Sequence, residues 1–374
     1  MSMRRIGAIA FRIIRQFLHD KRTMALLFLA PIIVMTILQF VLNSSSSNAI
    51  LAIVPPSGPA GTAIVSHLQS QFSANSTITL KILQANQVDS SLKSGDIDGA
   101  LIFPSDFTQQ ILLGETPTIT LRLSGSNPGI AKQLSGLGNL LITGFTSPAA
   151  NSAAGSTSAN TPILQTSYLY GGPQFTQTDA MAPLLIGLFS YFFVFLLTSV
   201  SFLRERSQGT IERLMVSPSS RTELVLGYIC GFTVFALAQS AIILLYVIYI
   251  LQVHYAGNPL TIFLVTSLLT IGGVNMGIFV SAFARNELQI IQFIPLLLVP
   301  QILLGGLFFP VKTLPIVLHQ LAYVFPLTYA NFALQDVMIK GFGVSEIWGD
   351  LIFITAFALV VAMLAAFSLR QEKI

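Results

Sequence analysis

Charge is what this sequence has least of. Its 374 residues include 19 lysines and arginines and 15 aspartates and glutamates, 9% of the chain, where a soluble domain carries about 25%. So little polar surface does not keep a folded chain in water, and the mean hydropathy of +0.75 agrees. The broad class is therefore an integral membrane protein. There is one cysteine, Cys230. It excludes an intrachain disulfide, and inside an apolar run it reads as a small packing residue. The four histidines, His19, His67, His254 and His319, share no ligand spacing with each other, with a carboxylate or with the cysteine, so no metal site is expected. No G-x-x-x-x-G-K-[S/T] occurs, which excludes a phosphate loop of that kind from these residues.

What the sequence does have is long apolar runs. Six stand out, at roughly 24–42, 181–203, 224–253, 260–283, 288–309 and 350–369. Each approaches or exceeds the ~20 residues that cross ~30 Å of hydrocarbon. None offers an ionisable group at mid-membrane, where proton- and ion-driven carriers keep one. Between the fifth and sixth lies "FPVKTLPIVLHQLAYVFPLTYANFALQDVM". It is apolar, but Pro310, Pro315 and Pro326 divide it into pieces too short to cross. We read residues about 310–340 as a re-entrant helical hairpin, whose irregular backbone must be covered by protein or line a cavity.

Before the first run, Ile6, Ile9, Ala10, Ile13, Ile14 and Phe17 recur on one helical face, with Arg4, Arg5, Arg12, Arg15 and His19 opposite. A basic amphipathic helix beside a span lies in the interface plane; a solvated basic tail is the plainer alternative. A cleaved signal peptide fits poorly, because the basic region is long and no small-x-small cleavage site stands out after Leu42. After the first run the composition turns to Ser, Thr, Asn, Gly and Pro. "AILAIVPPS", "STITLKIL", "DGALIFP" and "TITLRLSG" read as strands, with "TAIVSHLQSQF", "SDFTQQILLG" and "GIAKQLSGLGNLL" as helices between them. Asp96, Asp98 and Asp106 match no calcium-loop spacing and read as solvated. The low-complexity segment 147–162 reads as a linker or disordered tip.

The expected fold is an all-α polytopic domain of six transmembrane helices with the hairpin before the last, plus an inserted α/β domain. Residues 1–23 form the interfacial helix, 24–43 span one, 44–180 the insert and 181–374 spans two to six. With six spans, thirteen of the nineteen basic residues fall on one side, which is then cytoplasmic. Both termini face the cytoplasm and 44–180 faces outward. A seventh span through 314–333 would move Arg370 and Lys373 outside, so six is the better count.

One short stretch breaks the poverty of charge. "RERSQGTIERLMVSPSSRTEL", 204–224, holds Arg204, Glu205, Arg206, Glu212, Arg213, Arg221 and Glu223 between spans two and three. Gly209 breaks span two, and Thr210 can cap a new helix whose first turn holds Glu212. Ser217-Pro218 ends that helix, and Ser220 to Glu223 has capping-box spacing to open span three. The result is a short surface helix over about 210–216. Ile211, Leu214 and Met215 form its apolar face. That face suits a groove on a partner or the lipid interface, and spacing alone leaves both open.

The loop "RERSQGTIERLMVSPSSRTELVLGY" resembles the segment after the second span in membrane subunits of ABC exporters of the ABC-2 type. "LLGGLFFPVKTLPIVLHQLAYVFPLTYANFAL" resembles that family's hairpin before the last span. "DGALIFPSDFTQQILLGETPTITLRLSGSNPGIA" resembles the external domain of its drug-exporter-like branch. The resemblance implies that Gly209, Thr210, Ile211, Glu212, Arg213, Leu214 and Met215 form a coupling helix on a cytosolic ABC ATPase. It implies that the N-terminal helix is an interfacial elbow, and that the setting is a prokaryotic plasma membrane. A second permease copy, as homodimer or related heterodimer, would complete the pathway. The chain itself would bind no cofactor and perform no catalysis, with ATP and Mg held by the ATPase. Membrane lipid is a further partner and nucleic acid is none. A hydrophobic or amphipathic cargo, drug, antibiotic or lipid-like, is implied.

Other residues carry open readings. Gly273 and Gly277 have small-xxx-small spacing, for intrachain helix packing or a dimer seam. Gln239, Asn275, Gln292 and Gln301 face a translocation path or bond between helices. The span aromatics, Phe189 and Tyr191 among them, line a path, or else face lipid or fill the core. Two other function classes stay in view. A membrane-anchored receptor or assembly scaffold would use 44–180 as its binding module, though six spans exceed what an anchor needs. A self-contained carrier lacks the buried charge.

Overall fold

The computed structural model describes residues 2–371, apart from 43–48, 59–60, 63, 67, 69–77, 114, 146–161, 171, 174, 216–219 and 308. The segment 147–162 therefore lies almost wholly outside the described residues, as does much of the helix expected at "TAIVSHLQSQF". The chain divides into two compact units, Met1–Val41 with Met181–Ile374, and Leu42–Ala180.

The first unit is helical. An N-terminal helix, Met3–His19, leads into span one, Lys21–Leu42. Span two is Gln177–Ser207, and span three runs Arg221–Leu245, widening through one looser turn, Tyr246–Ile250. Spans four, five and six are Pro259–Ser281, Glu287–Leu304 and Trp348–Gln371. Six helices among the described residues are long and apolar enough to cross a membrane. Side-chain caps start three of them. Ser220 accepts from Glu223 N, Asn258 from Leu260 N, and Asn286 from Gln289 N, so each frees its helix from an orphan donor. Between spans five and six Pro310, Pro315 and Pro326 divide the segment into short pieces. A single tight turn, Val311–Thr313, precedes two helices, Ile316–Ala322 and Pro326–Met338.

Burial ranks the spans. The apolar stretch of span two is 83% buried and that of span four 67%, against 17% for span one and 22% for spans five and six. Spans two and four are thus the centre. The N-terminal helix does not leave its apolar face to lipid as expected. Ile9, Ile13 and Phe17 are buried, and Phe17 packs against Phe232 and Phe235 of span three at centroid distances of 5.3 and 5.6 Å. The approach depends on glycine. A Cβ on Gly227 would lie 2.6 Å from Ile9 Cγ2, and one on Gly231 3.0 Å from Ile13 Cβ. Cys230 beside them is exposed, so it is not the packing residue the sequence suggested. Its neighbours carry the packed face and it points away.

The second unit holds a five-stranded sheet of β1 (Ala49–Val54), β2 (Ile78–Ile82), β3 (Gly99–Ile102), β4 (Thr118–Leu123) and β5 (Ile163–Tyr168). Their order across the sheet is β2-β1-β3-β4-β5. Only β3 and β4 run antiparallel. Alternate side chains divide between two cores. Leu51, Ile53, Leu101 and Leu121 meet Ile130 and Leu134 of the helix Pro128–Phe145 on one face. Ala52, Val54 and Ala100 meet Val88 and Leu92 of the helix Ala85–Ser94 on the other. Asp98 is not solvated as expected. Its Oδ2 accepts the Ile50 N–H at 2.8 Å, and burial lifts its carboxyl above the ordinary range while that N–H pulls the other way.

Two outcomes are expected. Gly227→Ala costs about 1–3 kcal/mol of stability by overpacking, read as a lower melting temperature. Adding Ile9→Ala brings a total loss smaller than the sum of the two single losses, because the new methyl fills the space opened. For Asp98 the folded pKa exceeds the unfolded one. The carboxyl therefore favours the fold most below its unfolded value, and that contribution is lost as pH rises through the folded value. Asp98→Asn keeps an acceptor for Ile50 without the charge, so thermal melts across pH should show the variant gaining on wild type as pH rises through that window.

Candidate functional site

Span two does not stop where its apolar run stops. No Gly or Pro follows Leu203 until Gly209, and the helix continues to Ser207. Arg204, Glu205 and Arg206 therefore stand on three successive helix directions and meet three neighbours. Glu205 is 5% exposed. Its Oε2 accepts Arg12 Nη2 and the Tyr228 hydroxyl, both at 2.7 Å, and its Oε1 accepts Gln16 Nε2 at 2.6 Å. Burial works against the Arg12 charge, but the hydrogen bond and charge of Glu205 outweigh it and hold the guanidinium above its ordinary pKa. Arg204 forks onto Glu287 of span five, Nε at 2.7 Å and Nη2 at 3.3 Å. Arg206 Nη1 donates to Ser281 O and Ala282 O at 3.1 and 3.0 Å, satisfying carbonyls at the end of span four.

Glu223 closes the far side of the loop. Its Oε2 accepts Ser220 N at 3.0 Å, and its own N–H donates to Ser220 Oγ at 3.2 Å. Its Oε1 accepts the backbone N–H of Ser2 at 2.6 Å, and Arg5 Nη1 lies 3.6 Å from Oε2. The charge that the sequence places between spans two and three is here a set of ties between helix ends. The apolar runs undercount the helices, and Glu205 and Glu223 belong to spans two and three themselves.

Between these ties hangs the loop helix, Thr210–Met215. Gly209 precedes it at φ +68°, a backbone region that costs a side chain about 1–2 kcal/mol and that glycine visits freely. Thr210 is the first helical residue and not its cap. Arg213 N donates to Gly209 O at 3.1 Å, and Arg213 Nη2 to Gln208 O at 3.1 Å. Arg213 is exposed and Leu214 half-buried. The side chains of Ile211, Glu212 and Met215, and residue 216 itself, lie outside the described residues.

The other predicted residues do not gather at one site. Gly273 and Gly277 bring span four against span two of the same chain. A Cβ on Gly277 would lie 2.8 Å from Thr198 Cβ, and one on Gly273 3.2 Å from Tyr191 Cδ2. Gln239, Asn275 and Gln301 are buried. Gln239 Nε2 donates to Phe189 O at 3.4 Å, Asn275 Nδ2 to Ala358 O at 2.9 Å, and Gln301 Nε2 to Leu297 O at 3.0 Å. Gln292 is exposed. Sequence reading missed the roles of Gln16, Glu205 and Tyr228, and the glycine pair Gly227 and Gly231. The four-residue glycine spacing in span three was legible; the partners of Glu205, 23 to 193 positions away, were not.

A sequence model of the family described as ABC-2 family transporter protein matches residues 21–367. ABC transporter G family member 20 of Dictyostelium discoideum is 29% identical over 206 residues, 54% of this chain but only 28% of that protein. The probable multidrug ABC transporter permease YbhS of Escherichia coli (strain K12) is 24% identical over 344 residues, 91% of this chain and 90% of the relative. The linearmycin resistance permease protein LnrN of Bacillus subtilis (strain 168) is 23% identical over 356 residues, 90% of this chain and 91% of the relative.

The two ion pairs of span two should differ sharply. Glu205→Ala leaves Arg12, Gln16 and Tyr228 without their acceptor and costs about 3–5 kcal/mol, the loss typical of breaking a buried pair. Arg204→Ala removes an exposed pair and costs about 0–1 kcal/mol. Urea or thermal unfolding of the two purified variants beside wild type checks the order.

Proposed function

The chain belongs to the ABC-2 transporter family, and from that premise we propose that it is the membrane permease of an ATP-driven exporter. It is a transport subunit and not an enzyme, and ATP hydrolysis belongs to a separate subunit. The observation that carries the proposal is the loop helix Thr210–Met215, held between the tied ends of spans two and three. A short helix on a glycine pivot, joined to two spans, passes a push from outside to both of them.

In this reading the loop and both termini are cytoplasmic, because Arg4, Arg5, Arg12, Arg15, Lys21, Arg22, Arg204, Arg206, Arg213, Arg221 and Arg285 then share one side. Residues 44–180 are extracytoplasmic and the hairpin is re-entrant from the outer face. Two ATPase subunits close on ATP and Mg, the helix moves with them, and spans two and three rearrange. Two permease copies, identical or related, enclose the path. The cargo is hydrophobic or amphipathic and leaves the cytoplasm or inner leaflet. The multidrug and linearmycin-resistance names of the relatives agree with such a cargo, as does the lack of an ionisable group at mid-membrane.

The test is a detergent pull-down of the tagged chain from its native cells, wild type beside Glu212→Arg/Leu214→Asp. We expect a P-loop ATPase with the wild type, identified by mass and by ATP hydrolysis, and its loss from the variant. Equal capture by both, or no ATPase with either, would make the loop a plain connector and favour a receptor or self-contained carrier.

A further inference from the structure

The cavity with the most specific chemistry lies away from the loop. It opens between the end of span five, the hairpin helices and the start of span six, with a volume of about 450 Å³. Small-molecule sites occupy about 300–1,000 Å³. Asp336 and Lys340 both line it and pair with each other one helical turn apart. The Lys340 ammonium also lies 5.5 Å from the centre of the Phe342 ring, so this pair is occupied. Lys312 lines the cavity too and is exposed.

Asp350 differs from all three. It is half-buried at the start of span six, and among the described residues its carboxylate has neither a hydrogen bond nor a cation. The nearby charge of Asp336 repels it. An ionisable group left this way at a membrane helix needs a counter-charge. The rest of the wall is suited to one. Asn331 lines it as well, but its amide is turned into the bundle, with Nδ2 donating to Gly305 O at 2.7 Å and Oδ1 packed toward Gly187 of span two. Tyr323 and Phe332 stand with ring centroids 6.2 Å apart, and aromatic faces attract cations. On the hairpin helix that ends just before Tyr323, Ile316 and Val317 are exposed, as is Val324 after it, apolar surface for an alkyl tail.

We propose that this cavity binds the protonated amine of an amphipathic molecule. Asp350 is its counter-ion, and Tyr323 and Phe332 wall it. The tail lies along the hairpin helix Ile316–Ala322. That such an amine is exported cargo rests on the permease reading; its binding does not.

The experiment uses the full chain in phosphatidylcholine nanodiscs without any ATPase. A fluorescent long-chain primary amine and the alcohol of the same chain are titrated against it, with empty discs subtracted. Wild type should bind the amine at least tenfold more tightly than the alcohol. Asp350→Asn should bring the amine to the level of the alcohol and leave the alcohol unchanged, while Asp350→Glu retains the preference. Equal affinity for the two probes in wild type overturns the proposal. So does a preference that survives Asp350→Asn, or an equal loss of both probes, which marks a structural role. Failure here leaves the permease reading standing, since no ATPase takes part.

Discussion

A carboxylate taken out of water at a membrane boundary must find donors, and Glu205 finds three. Arg12 and Gln16 come from the N-terminal helix and Tyr228 from span three. Leaving that charge buried and unpaired costs several kcal/mol, so its needs are met only when three helices are in place together. The apolar contacts point the same way. Phe17 sits against Phe232 and Phe235, while Ile9 and Ile13 lie over the two glycines of span three. The N-terminal helix is therefore part of the bundle, and the exposed fork of Arg204 on Glu287 adds direction to it more than strength.

Deeper in the bundle the forces change. Lipid is as apolar as leucine, so burial of apolar surface does not hold spans together there; close packing and interhelical hydrogen bonds do. Spans two and four, the most buried, meet where Gly273 and Gly277 let backbones approach. Asn275 reaches Ala358 of span six and Gln239 reaches Phe189 of span two. A central pair thus carries span three on one side and span six on the other. Charge at the helix ends and small or amide side chains along the spans divide the work of assembly. The loop helix is the short piece left between two tied ends, with Gly209 as its joint.

Much of this was legible in advance. Run length gave the six spans, the 3.6-residue period gave the buried face of the N-terminal helix, and Ser220 with Glu223 gave the start of span three. Four of the five strands were visible as short apolar segments between helical ones. The fifth, "ILQTSY", was not, because half its residues are polar and it follows low-complexity sequence. The site was legible as a place; the ties that hold it were not. Arg204 to Arg206 appeared only as loop charge that sets orientation, and they bind the chain to itself; Glu223, legible as the cap of span three, also takes the N–H of Ser2.

Sequence alone determined what each segment could be, because hydrophobic length, period and capping chemistry are local properties of consecutive residues. That local reading set the class, the spans, the division at residues near 43 and 180, and the position of the loop helix. Tertiary structure decided the partners. Whether Gly227 or Gly273 admits a neighbour, whether Cys230 faces in or out, and which donors reach Glu205 depend on helices brought together from distant positions. A side chain's charge or size does not encode which helix arrives beside it; only packing in three dimensions does.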